Sequence, residues 1–140
     1  MLDKNNATIK IVSIIDDDID ERIELVVSGG FYEKNSTFYI MYEEKKEMEM
    51  ADCSVMIKIH NDEMTVTRKG EINSKMFYKS GKTSEFLYQV PYGTIPLVLN
   101  TKSVEHNLDD EGGRVELDYS LIIQQEEQFH RMSIEVKVNS

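Results

Sequence analysis

Few residues in this chain have the types and spacing that chemistry demands, and the densest group is acidic. Five carboxylates fall within "DDDIDE": Asp16, Asp17, Asp18, Asp20 and Glu21. Such a run is raw material for a calcium loop, which takes oxygen ligands at positions 1, 3, 5 and 12 with glycine at 6. With Asp16 at position 1, Asp18 and Asp20 fall on 3 and 5. Glu21 then stands where the sharp turn wants glycine, and Val27 where a bidentate glutamate is required. The fit fails at both defining places, so no metal is expected. The run reads as a solvated turn between the first two strands, since an aspartate side chain bonds nearby backbone N–H groups.

The other reactive side chains are scattered. His60, His106 and His130 lie on three separate segments, and none has a second histidine at helical zinc spacing. Cys53 shares the apolar parity of Val55, Ile57 and Ile59, where a free thiol behaves as a small hydrophobe with little thiolate character. No nucleophile elbow, phosphate loop or dinucleotide fingerprint occurs; "SGGFY" (28–32) has glycines but no helical pattern after it. Among 26 acids chance pairs of carboxylates are easy to find, so glycoside chemistry has candidates but no marked pair. Catalysis and cofactors are therefore not expected, and a hydrolase or isomerase ranks last among the readings.

Arg68 is the most informative residue. In "EMTVTRKG" it falls on the parity of Met64 and Val66, and a guanidinium ending an inward row is costly without a partner. A ligand's carboxylate or phosphate would suit its planar fork. An internal salt bridge, bonds to strand-end carbonyls, or an outward bend at Gly70 are the structural alternatives. Thr101 and Ser103 continue the parity of Ile95, Leu97 and Leu99, so polarity enters that row near its end too.

The elements that must position these residues are strands. Val115, Leu117, Tyr119, Leu121 and Ile123 alternate with polar neighbours, as do Met132, Ile134, Val136 and Val138. Period two over such lengths means one face in a core and one in water. Strand-like segments cover 7–15, 22–29, 37–43, 53–60, 64–69, 75–79, 84–91, 94–107, 114–123 and 129–138. The turns "EKNS" (33–36), "HND" (60–62), "DDEGG" (109–113) and "QQEEQ" (124–128) separate them. Short connections force antiparallel neighbours, and closure of so many amphipathic strands removes exposed edges. The expected fold is all-β, a single antiparallel up-and-down barrel of about eight to ten strands. "MYEEKKEMEMA" (41–51) and "IDERIEL" (19–25) carry helical features as well.

Composition sets further bounds. The 140 residues read as one domain over 1–140. With one cysteine, no signal-like start and no apolar run of spanning length, the expected setting is cytoplasmic, without membrane contact. A net charge of −10 argues against nucleic acid. Between Met64 and Val104 six bases meet two acids, a net +4 that leaves −14 on the rest. That block either meets an acidic partner or carries the lysines that discourage edge pairing on strands.

The "TRKG" pair Arg68–Gly70, the "PYGTIPL" segment running to "NTKSV", and "DDEGGRVELDYSL" before a last amphipathic strand resemble the YwiB-like proteins, a family of unknown function from low-GC Gram-positive bacteria. The likeness runs from about Ile9 to Val138 in order. It implies a calycin-like barrel similar to lipocalins and fatty-acid-binding proteins, although the Gly-x-Trp signature of secreted lipocalins is missing because the chain has no tryptophan. The matching positions are Arg68, Gly70, Tyr92, Gly93, Thr101, Gly113 and Tyr119. The reading that follows is a non-catalytic module binding a small organic anion or amphiphile at one barrel mouth. Arg68 would anchor it, Thr101 would hydrogen-bond it, and Tyr92 or Tyr119 would wall it. The alternative is an interaction barrel meeting an acidic protein through residues 64–104. A monomer or a homodimer through an unclosed edge fits either.

Overall fold

Alternation along the chain becomes ten antiparallel strands: β1 (Ala7–Ile15), β2 (Asp18–Lys34), β3 (Thr37–Glu44), β4 (Cys53–His60), β5 (Glu63–Gly70), β6 (Ser74–Lys79), β7 (Thr83–Val90), β8 (Gly93–His106), β9 (Gly112–Ile123) and β10 (Glu126–Val138). The computed structural model describes residues 5–16, 18–48 and 50–139. Asp17, and the side chains of Asp18, Asp20 and Glu21, lie outside the described residues. Among the described residues no helix is long and apolar enough to cross a membrane.

The strands form one sheet in the order β6-β5-β4-β3-β2-β1-β10-β9-β8-β7, and its two ends come together as a nearly closed barrel. The first and last strands meet in the middle of that order, paired from Ala7↔Val138 to Ile15↔His130. The remaining gap falls between β6 and β7. There Asn73 and Gln89 exchange backbone bonds at 2.9 Å, and the Ser84 hydroxyl donates to the Phe77 carbonyl at 3.3 Å. Past the end of β6 the chain pairs with β8 instead, Gly81 N–H donating to the Thr101 carbonyl and Thr101 N–H to the Lys82 carbonyl.

Three local features differ from the pattern read off the sequence. β2 runs from Asp18 to Lys34, longer than 22–29 at both ends, because β1 pairs with its first half and β3 with its last residues. The stretch 19–25 is therefore strand, and among the described residues of 41–51 helix is one 3-10 turn, Lys46–Met48. The expected loop 124–128 shrinks to a two-residue turn, with Gln124 and Gln125 at φ 50 and 70. Positive φ at both places matches the right-handed twist of the flanking strands. A register shift between Thr101 and Ser103 changes the parity of β8. Thr101 stays inward and buried, but Val104 takes the next inward place rather than Ser103. An extra residue in one strand has this effect on everything after it.

The barrel is packed at one end and open at the other. Around the sealed end sit Ala7, Phe31, Ile59, Met64, Val104, Leu108, Val115 and Val136, all buried. Toward the opposite end the inward rows of β1, β2, β9 and β10 loosen, while those of β3, β4 and β6 stay buried as far as Glu44, Cys53 and Ser74. In β1, Ile9 and Ile11 are buried while Ser13 and Ile15 are half-buried; in β10, Val136 and Ile134 give way to Met132 and His130. In β2 the last described inward side chain toward this end is Ile23, which is 55% exposed. Side chains that point inward yet meet solvent define a cup.

Candidate functional site

The cup's polar side is built by the ends of β3, β4, β5 and β6. Glu44 closes β3 on the same inward parity as Ile40 and Tyr42 and is only 4% exposed. It stands opposite Cys53 in register, and Arg68 stands opposite Val55 and Ser74. The guanidinium reaches across β4 to the carboxylate. Arg68 Nε donates to Glu44 Oε1 at 3.0 Å and Nη2 to Oε2 at 3.4 Å, a two-pronged pair. Cys53 Sγ adds a third donation to Glu44 Oε1 at 3.2 Å. Of the sequence alternatives for Arg68, an inward guanidinium bridged to an acid is the arrangement found.

Gly70 lets these strands come close. It has φ 144, and a Cβ there would lie 2.5 Å from the Asp52 carbonyl oxygen and 2.8 Å from Cys53 Cα. Only a residue without a side chain fits so tight an approach. Asp52 also binds this rim together, its carboxylate accepting from Lys46 N–H while Glu71 pairs with Lys46 at 2.7 Å.

Tyrosines surround the pair. Tyr42, Tyr78, Tyr88 and Tyr119 all titrate above their ordinary range because burial disfavours the phenolate; Tyr119 is pushed up to about 12. Arg68 opposes that rise in all four, which places its charge within electrostatic reach of every ring. Burial opposes the charge of Arg68 itself, but the bonds and attraction from Glu44 overcome this and hold the guanidinium protonated. Burial first, then Glu44, pushes the Cys53 thiol up to about 11, so it is no thiolate at neutral pH. On the far wall Tyr119 packs edge-on to Tyr78 and stacks on His130 at 5.0 Å between centroids. Burial holds that imidazole below its usual range, with Asp16 pulling the other way.

Of the sequence candidates, Arg68, Thr101 and Tyr119 share the interior and Tyr92 does not. Thr101 is opposite Tyr119 in register and buried. Tyr92 sits in the β7–β8 turn, 87% exposed, at the rim beyond Tyr88. Two buried hydroxyls, Ser74 Oγ and Thr101 Oγ1, have no hydrogen-bond partner among the described residues. Ser74 is the more telling, since its register partner is Arg68. Sequence reasoning missed Glu44, Ser74, Tyr42 and Tyr88. Glu44 had a signal, the parity of Ile40 and Tyr42, masked by the helix formers that follow it.

The opening acid run contributes differently. Asp16, at φ 53, exchanges backbone contact with β10: its N–H donates to the Phe129 carbonyl at 2.7 Å and its carboxylate accepts from Phe129 N–H at 2.9 Å. This is turn chemistry of the kind expected of aspartate. A separate shallow groove of about 380 Å³ lies outside the wall, over β2, β1, β10 and β9. Its Arg114 is tied to Glu116 and Glu135 at 2.9 Å each, and Lys10 and Arg22 share Glu24.

Residues 9–136 match the family described as Domain of unknown function (DUF1934). The chain belongs to that family. It is 27% identical over 136 residues to the uncharacterized beta-barrel protein YwiB of Bacillus subtilis (strain 168), a match covering 96% of this chain and 94% of the relative. The crystal structure of the ywiB protein from Bacillus subtilis superposes with a TM-score of 0.86 at 25% identity, over 98% of this chain and 94% of that one. The barrel fold is thus shared with an experimentally solved relative.

Proposed function

We propose that this protein is a non-catalytic binding module whose open barrel end takes a small amphiphile. One observation carries the reading: the inward rows of β1, β2, β9 and β10 grow more exposed toward the end at which β3 and β5 hold a buried, hydrogen-bonded ion pair. Ile23, Leu25, Leu121, Met132 and Phe86 supply an apolar wall, partly exposed on the inward parity. Glu44, Arg68 and Ser74 supply a few placed polar groups opposite it. Apolar walls with a small number of oriented polar groups are the usual make-up of small-molecule sites. Thr101 and Tyr119 line the floor, and Tyr92 stands at the rim. A cytoplasmic setting goes with this reading, Cys53 being a buried free thiol.

Ligand-observed NMR screening of a fragment set against the wild type, Arg68→Ala and Ile23→Asp tests it. Ile23 is exposed, so its replacement leaves the packed core alone while placing a charge on the apolar wall. Hits should weaken in both variants. Hits indifferent to both changes would place their site elsewhere and end the reading.

A second reading uses the outer face. Lys75 is exposed there, two residues before Phe77 at 38% exposure on β6, with Lys69 exposed on β5 and Leu87 57% exposed on β7. Lys79, by contrast, is engaged by Glu63 at 2.9 Å. An acidic protein partner suits that surface, and its capture should fall with salt and with Lys69→Glu plus Lys75→Glu. Capture unaffected by either would remove this reading.

A further inference from the structure

We infer that the head group this cup selects is uncharged and bears both a hydrogen-bond acceptor and a donor, as an amide or alcohol does, rather than a carboxylate, phosphate or amine. The inference rests on the binding reading above and narrows it. Arg68 alone would invite an anion, which is what the sequence expects of an inward arginine. The structure supplies that anion internally. Both carboxylate oxygens of Glu44 are held by the guanidinium, and Oε1 also receives the Cys53 thiol.

The charge balance is taken over the described inward residues of β3 to β7, β9 and β10. β3 brings Glu44 and β5 brings Arg68, which cancel. β4 brings Cys53, a neutral thiol pushed up to about 11. β6, β7 and β9 bring Tyr78, Tyr88 and Tyr119, phenols that are neutral at pH 7 and that burial raises further. β10 brings His130, whose charged form burial disfavours, with Asp16 pulling the other way. A ligand carboxylate entering here would either be an uncompensated buried charge or displace Glu44, leaving that carboxylate in the same position. An ammonium group meets the mirror problem at Arg68. Each outcome carries the penalty of desolvating an unpaired ion.

Hydrogen-bonding capacity, in contrast, is left over. A guanidinium has five N–H donors, and two are used on Glu44. The Ser74 hydroxyl, opposite Arg68 in register and 8% exposed, is unpartnered among the described residues. A carbonyl or hydroxyl oxygen can accept from Arg68, while the N–H or O–H of the same group can donate to Ser74 Oγ. Buried polar atoms of native proteins are satisfied in the great majority of cases, so a hydroxyl left this way on the strand next to Arg68 marks where a polar ligand atom belongs.

The test is an eight-carbon series differing only in the head: octanamide, octan-1-ol, octanoate and octylammonium, titrated at pH 7 and constant salt with amide chemical shifts as readout. Octanamide and octan-1-ol should perturb Arg68, Ser74 and Tyr88, with octanoate and octylammonium at least about tenfold weaker. Ser74→Ala should weaken octanamide and leave the weak octanoate affinity unchanged. Octanoate or octylammonium binding as tightly as octanamide overturns the inference while leaving the cup a binding site. Silence from all four members overturns the binding reading and the inference with it.

Discussion

Replacing Arg68 by methionine should cost about 3 kcal/mol of folding stability, and replacing its partner as well should return most of it. The Glu44 side chain is 5% exposed and that of Arg68 20%. Without the guanidinium, Glu44 keeps the Cys53 thiol, a weak donor, and the neighbouring Tyr42 hydroxyl, neither of them charged. Breaking a buried pair from one side costs roughly 3–5 kcal/mol because the remaining charge is uncompensated. The lower end applies here, since the site lies at the barrel's open end where water can enter the vacated space. Glu44→Met should cost less, about 1–2 kcal/mol, because arginine's long stem lets its head reach solvent. The double variant should lie within about 1 kcal/mol of the wild type, two apolar side chains being an adequate substitute for a buried pair. Urea unfolding at pH 7, extrapolated linearly, reads all four corners of the cycle. A coupling of about 3–5 kcal/mol is expected, well above the ~0.5 kcal/mol scatter of independent sites. Additive losses would refute the reasoning, showing that the carboxylate and guanidinium are each solvated on their own.

Three further outcomes follow from the same geometry. Gly70→Ala places a methyl against the Asp52 carbonyl at positive φ, so a loss of about 2–4 kcal/mol in thermal or urea unfolding is expected; a neutral result would mean the rim is not as tight as described. Because burial holds the His130 imidazole low, the folded state binds fewer protons than the unfolded chain. Its share of stability is therefore present above pH 6.5, the ordinary histidine value, and is lost as pH falls toward the folded value. His130→Phe, which keeps the stack on Tyr119, should flatten that slope in unfolding measured from pH 7.5 to 5. Finally, Cys53 should ignore a disulfide exchange reagent at pH 8 until the protein unfolds, as burial and Glu44 push its thiol up to about 11; rapid labelling of the native protein would contradict this burial.

Strand number and the identity of the inward faces were legible because alternation is enforced by a pleat with one wet side. The burial of Cys53, Val55, Ile57 and Ile59 follows their parity without exception. Arg68 was legible by the same rule, and so was its need for a partner. The partner was not. Glu44 lies at the start of a stretch whose lysines, glutamates and methionines favour helix locally, and tertiary pairing with β4 overrides that preference through Glu44. Ser103 misled because a bulge is invisible to period counting: one added residue at Lys102 turns the row over. The Gln124–Gln125 turn lacks the glycine or asparagine that announces such turns. Where the barrel closes was likewise hidden, since strand order depends on contacts between residues far apart in sequence.

That closure has a consequence for how the molecule assembles. β1–β6 and β7–β10 are two meanders, each laddered between sequence neighbours. Local hairpins of this kind zip within microseconds. Joining the meanders requires β1 to find β10, across a junction where hydrogen-bonded Thr8 and Asn139 stand 131 positions apart. Loop-closure entropy is spent before any of those bonds form. The barrel's tightest long-range joint is therefore the last to form, in milliseconds to seconds by its topology. Its loosest joint, between β6 and β7, lies between neighbours separated by three residues. Folding speed is set at the chain's two ends, and the wall stays weakest at its middle.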